Sequence, residues 1–157
     1  MTITLLAIGK TDNRDLSTLI NVYQQRLQHY IKTTFQVIPD IKNSKNLTED
    51  QQKEKEGELI LKSLQSSDIL ILLDERGKSY SSIAFAEALQ KRMNSGMKNL
   101  VFVIGGPYGF SEAVYQRAQQ QISLSAMTFS HQMVRLFFVE QLYRAFTILR
   151  NEPYHHR

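Results

Sequence analysis

The 157-residue chain contains no cysteine, which excludes a disulfide framework, a thiolate zinc site and a cysteine nucleophile. It has only three prolines and seven glycines, and nowhere do they gather into a linker that would mark a second domain. No apolar run approaches the roughly 20 residues that a membrane helix requires. Met1–Ile8 has the apolar character of a signal-peptide core. It lacks a basic stretch before it and a small-residue cleavage site after it, so it reads as a first strand. The four histidines, His29, His131, His155 and His156, have no carboxylates at matching spacing, and no metal site is expected. One soluble domain covering residues 1–157 is expected.

What the chain does have is alternation. Thr2–Ile8 and Thr33–Ile38 have strand patterns, and Asp68–Leu73 and Leu100–Ile104 are short apolar runs of buried strands. Gln121–Leu124 is a brief fifth. Between them lie helical patterns over Asp15–Ile31 and Thr48–Leu64 and a third capped by Ser81 or Ser82 and running to Asn94, with a short helix opening at Ser111-Glu112. Thr48 followed by Gln51 has the form of a capping box. Strands alternating with helices predict an α/β fold, a mostly parallel sheet with helices on both faces. The net charge of +4 favours an anionic partner, nucleic acid above all.

The last helical segment, Gln132–Arg150, is apolar almost all the way round; its one clear polar stripe is Glu140, Arg144 and Thr147. A helix that is apolar on every side must be covered on every side. A second copy of the chain is the simplest cover, the alternative being passage through the core. A homodimer is expected.

Parallel sheets bind ligands beyond the carboxyl ends of their strands. Three expected loops lie there: Leu73–Lys78, Ile104–Phe110 with its Gly-Gly-Pro-Tyr-Gly, and Leu124–Phe129. The glycine segment matches neither the dinucleotide fingerprint nor a P-loop. Together with His131–Arg135, Glu140–Ala145, Lys55-Glu56-Gly57 and the tail Pro153-Tyr154-His155-His156, these segments resemble the methyltransferase H family of the large ribosomal subunit, members of the SPOUT superfamily. The resemblance runs the whole length; His156-Arg157 matches the family's tail only loosely.

That resemblance implies a C-terminal trefoil knot, S-adenosyl-L-methionine as methyl donor, and methylation of N3 of a pseudouridine in 23S rRNA. It also implies a cytoplasmic enzyme working on the ribosome. The cofactor pocket would map onto Leu73, Gly105 and the run Leu124, Ser125, Ala126, Met127, Thr128 and Phe129. Removal of the N3 proton calls for a base or polarising group. Tyr154 and His155 are the candidates, beside a pocket that the partner chain helps to form; a frayed, idle tail is the alternative. His131 would orient substrate or bond to backbone. Arg135 and Arg144 are candidate phosphate contacts, although Arg144 has Glu140 four residues before it. Lys10, Arg14, Arg76 and Lys78 would form a basic rim. A non-catalytic nucleotide- or RNA-binding module and a dimeric scaffold with a degenerate pocket are the rival readings.

Overall fold

Five strands, β1 (Thr2–Ile8), β2 (Lys32–Ile38), β3 (Ile69–Ser79), β4 (Asn99–Ile104) and β5 (Gln120–Ser123), form one sheet in the order β2-β1-β4-β3-β5. Every pairing is parallel. The computed structural model describes residues 1–156, and Arg157 lies outside the described residues. The helices are α1 (Arg14–Leu27), α2 (Glu49–Lys62), α3 (Ser82–Asn94), α4 (Glu112–Arg117) and α5 (Met133–Leu149).

Alternation along the strands divides the core in two. Ile3, Leu5 and Ala7 of β1 and Leu100, Phe102 and Ile104 of β4 pack with α1, α3 and α5. Leu6, Ile8, Val101 and Val103 point the other way, with Ile60 of α2 and Val114 of α4. The central strands are therefore apolar on both faces, as parallel strands covered on both sides must be.

Local chemistry sets the helix starts. Asn13 accepts from the Leu16 N–H to cap α1. Thr48 and Gln51 form the reciprocal capping box of α2, with bonds of 3.1 and 3.0 Å, an arrangement worth about 1 kcal/mol. Ser81 caps α3 through the Ala84 N–H. α1 ends at Leu27, four residues short of the sequence expectation, because the chain turns at 28–31 to enter β2.

The largest departure lies in β3. Leu73–Lys78 was expected to be a loop, but the strand continues to Ser79. Its pairing with β5 slips: Leu73 and Lys78 both align with Ile122, and residues 74–77 bulge out between them. Gly77 permits the return, since a Cβ there would lie 2.5 Å from the Ile122 backbone nitrogen. Only a hydrogen fits where two backbones approach so closely.

α5 lies between α1 and α3. Phe138, Val139, Leu142, Ala145 and Phe146 are buried against them, whereas Met133 and Phe137 stay about 40% exposed on the outward side. Phe129, at 36%, packs its ring 5.1 Å from Phe137. The helix is thus covered on the sheet side and bare along a strip that begins near its N-terminus.

Candidate functional site

At the carboxyl ends of the strands lies a cavity of about 720 Å³, within the roughly 300–1,000 Å³ common for small-ligand sites. All three loops singled out from the sequence reach it. Leu73 to Arg76 form one wall, Ile104 to Phe110 a second, and Ile122 to His131 most of a third. Of the expected cofactor residues, Leu73, Gly105, Leu124, Ser125, Met127, Thr128 and Phe129 line the cavity; Ala126 does not. His131 lines it too, and its carbonyl accepts from Arg135 Nε at 3.0 Å.

Bonds within each loop and bonds between loops hold the walls. Ser123 Oγ donates to the Ser125 carbonyl at 2.8 Å, and Ser125 Oγ accepts from the Met127 N–H at 2.9 Å. Thr128 ties this loop to Glu75 of the opposite wall at 3.1 Å. The carboxylate of Asp74 accepts from the Tyr115 hydroxyl and from the Arg76 N–H, and the Arg76 guanidinium donates to Tyr115 at 2.8 Å. Burial and the bond to Asp74 raise the Tyr115 pKa, so its hydroxyl keeps its proton. Composition gave no sign of Tyr115; it reaches the wall because α4 packs beside the β3 bulge.

Gly105 and Gly106 bring main chain to the cavity surface. A Cβ on Gly105 would press on the Phe110 ring at 3.0 Å, and one on Gly106 would overlap the Glu56 carboxyl group behind it. Apolar Leu73, Ile104, Phe110, Ile122, Leu124 and Val134 line the cavity. Backbone groups and apolar walls together suit a flat heterocycle carried on a polar chain.

Arg135 was expected to face phosphate, and the structure overturns this. Its side chain is wholly buried, with Nη1 donating to the Gly9 carbonyl at 2.8 Å and Nη2 to the Ile8 carbonyl at 2.9 Å. Thr11 Oγ1 accepts a third bond. Burial lowers its pKa, partly offset by Asp12 and Asp40. The carbonyls at the end of β1 need donors, and the guanidinium fork supplies them. Gln132 adds a second tie, accepting from the Asp12 N–H and donating to the Lys10 carbonyl. Of the expected rim, Arg76 lies on the cavity wall, while Lys78 sits over the Tyr80 ring.

The tail is docked. Tyr154 donates to Glu140 Oε1 at 2.9 Å, lies 3.4 Å from the Tyr23 hydroxyl and packs edge-on against Tyr143. Arg144 bonds Glu140, stacks over Tyr154 and lies 3.3 Å from His155 Nδ1. Glu152 accepts from the Tyr30 hydroxyl, raising the pKa of that hydroxyl to about 12. Burial, then hydrogen bonds to Tyr23 and Glu140, raise the Tyr154 pKa above its usual value. The cavity touches α5 at Val134, whereas this cluster sits on Glu140 and Arg144. At 1.5 Å per residue, that places it roughly 10–15 Å farther along the helix. Tyr154 and His155 are therefore not on the cavity wall of their own chain. Among the described residues, no group of His, Asp and Glu has the arrangement of a metal site, and no helix is long and apolar enough to cross a membrane.

Residues 1–155 match the family model described as predicted SPOUT methyltransferase. The chain is 69% identical over 157 residues to the ribosomal RNA large subunit methyltransferase H of Christiangramia forsetii, covering all of both chains. It is 70% identical over 157 residues, again all of both chains, to the protein of the same name from Flavobacterium johnsoniae. A probable methylase family protein of Haemophilus influenzae shares the fold at a TM-score of 0.52 and 15% identity, over 99% of this chain and 70% of that one.

Proposed function

The chain belongs to the SPOUT methyltransferase family, and from that premise we propose that it methylates N3 of a pseudouridine in 23S rRNA on the assembled ribosome, as a homodimer. Ribosomal RNA methylation with S-adenosylmethionine follows from the family and its full-length relatives. The target atom, the dimer, the ribosomal setting, the trefoil knot and a cytoplasmic location are the finer parts of the proposal. The observation that carries it is the convergence of three strand-end loops on one cavity whose glycine wall leaves room for a ligand against main chain.

The cavity fits the cofactor. Leu73, Ile104, Phe110 and Leu124 would enclose the adenine, and backbone groups of the Gly105 and Leu124–Phe129 loops would read its edge. When bound, the cofactor supplies a methyl group already activated by a sulfonium, so no protein nucleophile is needed. The protein's part is to hold the base nitrogen in line with that methyl group and to ease loss of the imino proton.

Tyr154 and His155 serve the second task as donors. The raised pKa of Tyr154 keeps its proton in place. Arg144 has only donors to offer, so its approach to Nδ1 makes that nitrogen the acceptor and puts the ring proton on Nε2. Such a pair would polarise a base carbonyl and acidify N3, with the proton passing to water. Since the cluster lies along α5 from its own cavity, it would complete the partner's site. The bare strip of Phe129, Met133 and Phe137 beside the cavity supports that pairing.

The test is transfer of labelled methyl from S-adenosylmethionine to ribosomes, intact or stripped to naked rRNA, from cells lacking the modification, followed by mapping of the nucleotide. Label on one pseudouridine N3 in intact ribosomes is expected. Label on another atom, or equal transfer to naked rRNA, would overturn the finer reading. Absence of cofactor binding would favour a non-catalytic RNA-binding module.

A further inference from the structure

One buried carboxyl group has no part in the chemistry above. Glu56 of α2 is only 3% exposed, and among the described residues neither of its oxygens has a hydrogen-bond partner. Gln52, one turn earlier, opposes the effect of burial by lowering its pKa, without reaching bonding geometry. An unpaired carboxyl at that depth is costly, and a structural role would normally give it a donor.

Its position gives it something to act on. The carboxyl group rests against the Cα of Gly106, and Gly106 lines the cavity. One thickness of main chain separates the acid from the ligand space. The neighbouring Gly57 sits directly against Ser111, which keeps α2 pressed to that loop.

Resting on the cofactor reading above, we propose that Glu56 is a specificity-determining residue: its charge, acting through the Gly106 backbone, lets the cavity prefer the sulfonium cofactor over the neutral thioether product. S-adenosylmethionine and S-adenosylhomocysteine share every group except one methyl and one positive charge. A negative charge across a thin, poorly solvated layer acts on the second difference alone. At roughly 10 Å and an effective dielectric near 20, such a charge changes affinity about tenfold. After transfer the product loses that attraction, which favours its departure.

The acid is poised to respond. Burial raises its pKa to about 7, against a smaller opposing pull from Gln52 and with a still smaller push from Asp40. The loop from Gly105 to Ser111 that covers it carries no charged side chain. Glu49, Asp74, Glu75, Arg76 and His131 stand on the cavity walls. A bound sulfonium would favour the ionised acid, and by linkage its binding would release a proton.

Calorimetry of both ligands at pH 6 and pH 8.5, with the wild-type protein and Glu56→Gln, tests this. In the wild type, the preference for S-adenosylmethionine should rise about fivefold between the two pH values, since part of the tenfold effect is already present at pH 6; in the variant it should stay flat while both ligands still bind. An equal rise in both proteins would assign the effect elsewhere, for instance to His131, which the substitution leaves in place, and would overturn the proposal. So would a flat preference in the wild type. A second measurement needs no variant. Titration near pH 7 in buffers of different ionisation enthalpy should show more proton release with S-adenosylmethionine than with S-adenosylhomocysteine, and equal release would overturn the idea. If the wild type binds neither ligand, the cofactor reading fails and this one with it, an outcome distinct from binding without discrimination.

Discussion

The cavity and the tail cluster are built by opposite means. The cavity's shape comes from main chain, with glycines admitting close approach at Gly77, Gly105 and Gly106. The tail is held by side chains: Tyr23, Tyr30, Glu140, Tyr143, Arg144 and Tyr154 make its bonds and ring contacts. A site made of backbone resists loss of any one side chain but fails when atoms are added. A site made of side chains fails when atoms are removed.

The strongest test of that contrast adds one methyl group. Gly77→Ala should cost at least about 3 kcal/mol, because the new atom meets the β5 backbone, which cannot step aside. Chemical denaturation measures it, and a loss below 1 kcal/mol would mean that the strand approach is loose. Next comes the join between the two regions. Met133→Glu with Phe137→Glu should yield a monomer that binds cofactor but has lost roughly a hundredfold in turnover, or about 2.7 kcal/mol. Full activity in a sedimentation-proven monomer would show that the tail has no part in the chemistry.

Removal of one atom from the tail is a milder change. Tyr154→Phe should lower kcat about tenfold and leave cofactor affinity unchanged, as expected for loss of one polarising bond. An affinity loss without a rate loss would turn the contrast around.

An effect of similar size concerns stability and pH. Glu56 binds its proton more tightly folded than unfolded, with a pKa near 7 against an ordinary 4.5. Its contribution is therefore most favourable below pH 4.5 and is lost as pH rises through 7. Glu56→Gln should gain about 1–2 kcal/mol over the wild type at pH 8 and narrow that advantage toward pH 5. Urea midpoints at the two pH values decide it, and a pH-independent difference would show that the carboxyl group is not buried in solution.

Local signals were readable in the sequence and non-local ones were not. Thr48 with Gln51 and Ser81 announce their helices because a cap involves residues three apart. The cavity loops were readable because strand ends in a parallel sheet carry ligands whatever their sequence. The β3 extension was hidden: charges and a glycine at Asp74–Lys78 look like a turn, and only pairing with β5, more than forty residues on, makes them strand. Arg135 looked like a phosphate ligand because nothing nearby in sequence shows that the carbonyls of Ile8 and Gly9 await it. Glu56 stood in the sequence only as part of the Lys55-Glu56-Gly57 resemblance, in a charged stretch that gave no sign of burial; the hint was Gly57 beside it and Ile60 four residues on, marking the face that α2 turns inward.

The Arg135 clamp also bears on how the chain is made. Its bonds to the end of β1 span 126 and 127 residues. At about 5–20 residues per second, the end of β1 is synthesised roughly 6–25 seconds before the arginine that closes it is added. Contacts of such long range slow folding. The first strand must therefore wait, its terminal carbonyls kept in water, until the last helix has emerged.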